Sequence, residues 1–282
     1  MEWGIDIFSY GGTVLYVLAA LMAVLYLHGG STRTLGWTVG LTALGALCLA
    51  AVLGLRWAVY HRVPLTTPAD SINLMVLCCT LIMIPMERKE NLRPLICFYL
   101  HPLALLCVLT AVLAHPDLHS EPRELRSSML ALHVGMVFVA YALFFMASMT
   151  SLAYIFKARH LKHHNTTGIF HRLPSLEQLD GTLYRLTRVG YPLFGATLIL
   201  GLVWTHTDRA LLGPHWYLAP KVLLAIVMAV FFSMAFHGRR TGLLRGPKLA
   251  NFIFVGFSLF LAVYVAMALL HLREYNFWGN AP

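Results

Sequence analysis

MLALHVGMVFVAYALFFMASMTSLAYIF, Met129 to Phe156, runs for 28 residues without one Asp, Glu, Lys or Arg. A helix that crosses the hydrocarbon core of a bilayer needs roughly 20 mainly apolar residues. This run exceeds that. Its apolar residues are continuous rather than alternating, so it lacks the period of a barrel strand. In lipid only helices and closed barrels satisfy every backbone hydrogen bond. The stretch therefore predicts a transmembrane helix. Seven more segments share its character: about Tyr10–Leu27, Leu35–Val59, Ser71–Met86, Pro94–Ala114, Val189–Trp204, Tyr217–Phe236 and Leu249–Leu270. The third and sixth spans in chain order, Ser71–Met86 and Val189–Trp204, are the shortest. The expected fold is all-α, a polytopic transmembrane bundle of about eight spans. It forms a single membrane domain with a four-helix part over 1–114 and a second four-helix core over 129–271.

Composition agrees. The chain has 282 residues, of which 59% are hydrophobic and only 12% charged. An average soluble domain carries roughly 25% charged residues. Too few polar residues remain to coat a water-soluble surface. The net charge of +9 does not point to nucleic acid, because the basic residues fall in short connections between apolar runs. Of the 21 Lys and Arg, 14 fall on one set of connections, including Arg88, Lys89, Lys157, Arg159, Arg239 and Arg240. The richer side should be cytoplasmic, which puts both termini outside and suits a bacterial inner membrane. Met1 to Asp6 lacks the basic start of a cleavable signal peptide. The longest inner connection, about Lys157–Arg188, is basic near Lys157–His164 and long enough to lie on anionic lipid. The five cysteines all sit in apolar runs, none in C-x-x-C, and read as buried hydrophobes.

Several chemistries are missing. There is no G-x-x-x-x-G-K-[ST], no G-x-S-x-G and no H-E-x-x-H, and no pattern predicts an enzyme. Charges inside the spans are nearly absent: Arg56 lies near the end of the second, and Asp70 and Lys221 lie at helix starts. That argues against a charge-driven small-molecule transporter. Histidine is abundant, with 14 copies. His133 opens the fifth span and His271 closes the eighth, so both should lie near the outer surface at one depth. Two imidazoles about 4 Å apart, each ~2 Å from an iron, would form a bis-histidine haem site. His237 ends the seventh span on the opposite surface, a bilayer core of roughly 30 Å away, and could not reach the same iron. The plainer reading of each is an interfacial histidine with an ordinary hydrogen bond.

The residues also resemble the motifs of a known family of integral membrane proteins. Leu132-His133-Val134-Gly135-Met136 with Ala140-Tyr141-Ala142 resembles the family's L-H-V-x-M…S-Y-A helix. Leu173-Pro174-Ser175-Leu176-Glu177-Gln178-Leu179-Asp180, Tyr184-Arg185 and Gly190-Tyr191-Pro192-Leu193 resemble its L-P-x-L-x-x-L-D…Y-R…G-F-P-L stretch. Gly201-Leu202-Val203-Trp204 resembles the G-x-x-W that follows. Val63-Pro64-Leu65 with Asp70-Ser71 resembles F-P-L-S-N-x-x-E-S, Asp70 replacing Glu. The family's Trp-rich segment, W-G-x-x-W-x-W-D-P-K, corresponds here to Leu212–Lys221. Gly213, Trp216, Pro220 and Lys221 match, whereas two tryptophans have become Leu212 and Leu218 and the aspartate Ala219. In order and spacing these motifs resemble the CcsA-type integral membrane cytochrome c assembly proteins, and the degraded segment resembles their shorter HemX/YpjD-like branch.

The resemblance implies haem b as cofactor, with His133 and His271 as iron ligands. It matches His237 to an inner histidine, and places Trp216 and Lys221 beside the porphyrin face and a propionate. It implies haem binding and presentation at the outer surface rather than catalysis. Haem, cytochrome c assembly or haem-biosynthesis proteins and the bilayer are the implied partners, with no nucleic acid. The HemX-like relatives imply an alternative, a membrane regulator or scaffold of haem biosynthesis at the level of glutamyl-tRNA reductase, acting through the inner loop.

Overall fold

The computed structural model describes residues 2–60, 68–113, 128–163, 168–207 and 220–269. Helices make up nearly all of them, and no strand occurs among these residues. In chain order they are α1 (Glu2–Gly29), α2 (Thr32–Tyr60), α3 (Pro68–Glu87), a single 3-10 turn (Glu90–Leu92), α4 (Arg93–Leu113), α5 (Ser128–Lys162), the one-turn α6 (Ile169–Arg172), α7 (Leu176–Thr207), α8 (Pro220–Thr241) and α9 (Pro247–Leu269). Eight of these, all but the two short turns, are long and apolar enough to cross a membrane. The expected all-helical bundle of eight spans is therefore found, and its two shortest spans are full-length helices. The connection expected over Lys157–Arg188 is shorter than it reads. α5 runs on to Lys162 and α7 starts at Leu176, because the polar residues at both ends lie on helical turns that extend past the apolar runs.

Local signals set the helix ends. Gly30 adopts φ +70 and its N–H reaches Tyr26 O at 2.7 Å, closing α1 with the left-handed residue that glycine takes without a Cβ penalty. Ser175 and Gln178 form a reciprocal cap on α7. The Ser175 N–H donates to Gln178 Oε1 at 3.1 Å, and the Gln178 N–H donates to Ser175 Oγ at 3.3 Å. This capping box satisfies two donors that the first helical turn leaves unpaired.

The chain divides into two compact units, residues 1–118 with 156–179, and residues 119–155 with 180–282. In the first, α1 packs on α2 and α4, and α3 packs on α4. Polar side chains inside it find partners: Tyr16 Oη lies 2.7 Å from Thr80 Oγ1, and Thr13 Oγ1 donates to Cys107 O at 3.2 Å. Arg56, near the end of α2, pairs with Asp70, at the start of α3, at 2.8 Å. Lys157 Nζ donates to Phe170 O at 3.2 Å and to His171 O at 2.7 Å. The amine thereby caps the last carbonyls of α6 and ties α6 to α5.

The second unit has an aromatic core. Phe144 of α5 stacks on Phe232 of α8 with ring centroids 3.5 Å apart, and meets Phe194 of α7 edge-on at 5.6 Å. Tyr141 lies between Phe194 at 5.8 Å and Phe260 of α9 at 5.3 Å. Phe231 and Phe252 join α8 to α9 as a parallel stack at 4.1 Å. Without a hydrophobic driving force between helices in lipid, packing of this kind holds a membrane bundle together.

Candidate functional site

Within the second unit, α5 and α7 meet around His133. The histidine lies in the second turn of α5, half-buried, and its Nδ1 is 3.0 Å from the backbone carbonyl oxygen of Thr197 on α7. A carbonyl can only accept, so this contact requires the proton on Nδ1. In the neutral ring Nε2 then carries the lone pair. Histidines that ligate metals commonly have this arrangement, with one ring nitrogen donating to a carbonyl or carboxylate and the other free to coordinate.

One turn further along α7, Gly201 makes room for the ring. A Cβ at position 201 would stand 2.8 Å from His133 Cε1 and 3.3 Å from Nδ1. Only a residue without a side chain lets the imidazole lie this close to the α7 backbone. Thr197 itself is fully buried, and its hydroxyl donates to Phe194 O at 2.7 Å. It spends its own polar group on the helix and leaves its carbonyl to serve both the helix and His133.

The second histidine of interest lies at the other end of the spans. His237 is exposed in the last turn of α8, its ring edge-on to Tyr191 at 5.9 Å and to Phe236 at 5.2 Å. Two residues on, the Arg239 guanidinium grips Asp180 of α7 with both terminal nitrogens, one of them 2.8 Å from Oδ1. The same guanidinium lies over the Tyr184 ring at 5.6 Å. A bidentate fork of this kind fixes orientation as well as charge. It anchors the turn of α8 that carries His237.

Lys221 occupies the second position of α8, at the helix start expected for it. His271 and Trp216 lie outside the described residues. The structure thus shows surroundings for His133 and His237, and these two belong to opposite ends of the helices. Among the described residues no group of three or more His, Cys, Asp or Glu is arranged to hold a bare metal ion. A site for a porphyrin iron needs only one or two imidazoles, because the macrocycle supplies the other ligands.

Asp180 ends a matched motif and Arg239 is a boundary charge, but nothing in the sequence pairs them or singles out Thr197, although the spacing of Thr197, Gly201 and Trp204 places all three on one face of α7. The same four-then-three spacing could have singled them out.

A protein-family model described as cytochrome C assembly protein matches residues 65–272, a span that includes His133, His237, His271, Trp216 and Lys221. Over 292 aligned residues the chain is 28% identical to the cytochrome c biogenesis protein CcsA of Prochlorococcus marinus (strain MIT 9303), covering 93% of this chain and 90% of that protein. The CcsA of Parasynechococcus marenigrum (strain WH8102) is 26% identical over 94% of each chain. That of Mesostigma viride is 27% identical over 79% of each.

Proposed function

Because this chain belongs to the cytochrome C assembly protein family and is a multi-pass membrane protein, we propose that it binds haem b through His133 and presents it at the outer surface of a bacterial cytoplasmic membrane. Membership of that family places the protein in cytochrome c assembly; haem binding is the step taken here. The observation that carries it is the His133 hydrogen bond. The Thr197 carbonyl holds the Nδ1 proton, which orients the ring and keeps Nε2 available as a ligand. Gly201 supplies the space in which the ring is held.

The remaining assignments follow from the resemblance. His271 would supply a second ligand to the iron. Trp216 and Lys221 would help hold the porphyrin, the tryptophan through its ring and the lysine through its charge on a carboxylate. Haem b, when bound, would supply an iron that accepts imidazole nitrogens. The protein's own contribution is binding and orientation. His133 is preset by α7, so little freedom is lost when a ligand arrives. His237, steadied by the Asp180–Arg239 pair, is a separate contact at the other membrane face.

The absorption spectrum of the purified protein tests this. After expression with ample haem, the wild type should carry a Soret band and split low-spin visible bands. His133→Ala should lose most of the colour. A wild-type protein that purifies colourless overturns the proposal.

A further inference from the structure

The face of α7 that meets His133 continues one turn beyond it. Thr197, Gly201 and Trp204 are spaced four and then three residues apart, which at about 100° per residue keeps them within one narrow stripe. The first two touch the His133 ring. The third, Trp204, is only half-buried as a residue, yet its indole Nε1 is buried and has no hydrogen-bond acceptor. Buried Trp N–H groups nearly always have one.

A tryptophan at a membrane boundary ordinarily turns its N–H toward lipid headgroups. The burial of Nε1 here is the opposite arrangement. The donor is enclosed by protein, and its residue stands one turn along the stripe of α7 that meets His133. From Val189 to Thr207, α7 carries no Lys or Arg, so an anion on this face has a neutral donor to meet it.

We propose that the Trp204 indole N–H is the hydrogen-bond donor for a carboxylate of the porphyrin held by His133. This rests on the haem-binding reading above and adds to it a residue that recognises the carboxylate edge of the ligand rather than its iron. Trp204 is a binding residue for the organic part of the porphyrin. His133 is the binding residue for the metal.

The two roles separate in titrations of the full-length protein, reconstituted in nanodiscs, with haemin and with iron-free protoporphyrin IX. Trp204→Phe keeps the ring and removes the N–H. It should weaken both porphyrins about tenfold, the scale of one charge-assisted hydrogen bond. Trp204→His, which restores a ring N–H, should recover part of that loss. His133→Ala should weaken haemin and leave protoporphyrin IX unchanged. The wild type should also prefer protoporphyrin IX to its dimethyl ester, an arm that needs no variant to fold, and Trp204→Phe should cut that preference about tenfold, leaving the part that Lys221 supplies. If Trp204→Phe binds both porphyrins as the wild type does, or the wild type takes the diester equally well, Trp204 is an interface anchor and the inference fails while the His133 reading stands. If His133→Ala binds haemin as tightly as the wild type, the haem-binding reading fails and this inference fails with it.

Discussion

The imidazole of His133 on α5 and the backbone carbonyl of Thr197 on α7 are joined by a 3.0 Å hydrogen bond across 64 positions of sequence. The two helices are locked to one another at the residue whose free nitrogen is the proposed ligand. The contact sets the ring position of His133 from a neighbouring helix.

Gly201→Ala tests that setting. In an ordinary helix this change would stabilise by roughly 0.8–1.0 kcal/mol. Here the new methyl would meet His133 Cε1 at 2.8 Å, so the ring must turn away from Thr197. The variant is expected to keep wild-type helicity by circular dichroism while losing haem occupancy and shifting its Soret band. Unchanged haem content would mean that the ring position does not matter.

The Asp180–Arg239 pair should couple α7 to α8. Its side chains are 20% and 24% exposed, so solvent weakens the attraction, and a coupling of about 1 kcal/mol is expected. A double-mutant cycle with Asp180→Asn and Arg239→Gln measures it from thermal unfolding in detergent. Each single variant should lower Tm. The double variant should be less damaged than the two losses added together. Strict additivity would show that the fork does not hold the helices.

The Arg56–Asp70 pair is a harsher case. Asp70 is 1% exposed and its partner Arg56 is 20% exposed. Removing one member of a buried pair strands the other charge and costs about 3–5 kcal/mol. Asp70→Ala should therefore reduce the yield of folded protein and lower Tm sharply. Asp70→Glu, the residue that the family pattern carries at this place, should be tolerated. Equal behaviour of the two variants would contradict a structural role for the pair.

At the start of α7, Ser175→Ala should cost about 1 kcal/mol by removing the side-chain oxygen of the capping box. Hydrogen exchange should show faster opening of the first turn of α7 and no change in the His133 region. Uniform protection would indicate that α7 begins independently of its cap.

The spans were legible because lipid imposes one rule on all of them: long, uncharged, continuous runs such as Met129–Phe156 have no other stable state in a bilayer. Their ends were less legible. Polar residues from Lys157 to Arg188 read as loop, yet much of this stretch is helix, because α5 and α7 extend past their apolar stretches and the Ser175–Gln178 cap starts α7 early. His133 was singled out by its type and its place at a helix end. What holds it was not, since the acceptor is a backbone carbonyl and the space is the missing side chain of Gly201. Neither has a composition. Asp180 reads as the end of a motif and Arg239 as a boundary charge, and only the approach of α7 to α8 makes them a pair.

The central claim is that His133 Nε2 is the haem ligand set by Thr197, and cavity rescue tests it most directly. His133→Gly, purified and supplied with haemin, should show a spectrum that lacks the low-spin bands. Added imidazole should enter the vacated space and restore them. A His133→Gly protein whose haem spectrum already matches the wild type before imidazole is added would contradict the account.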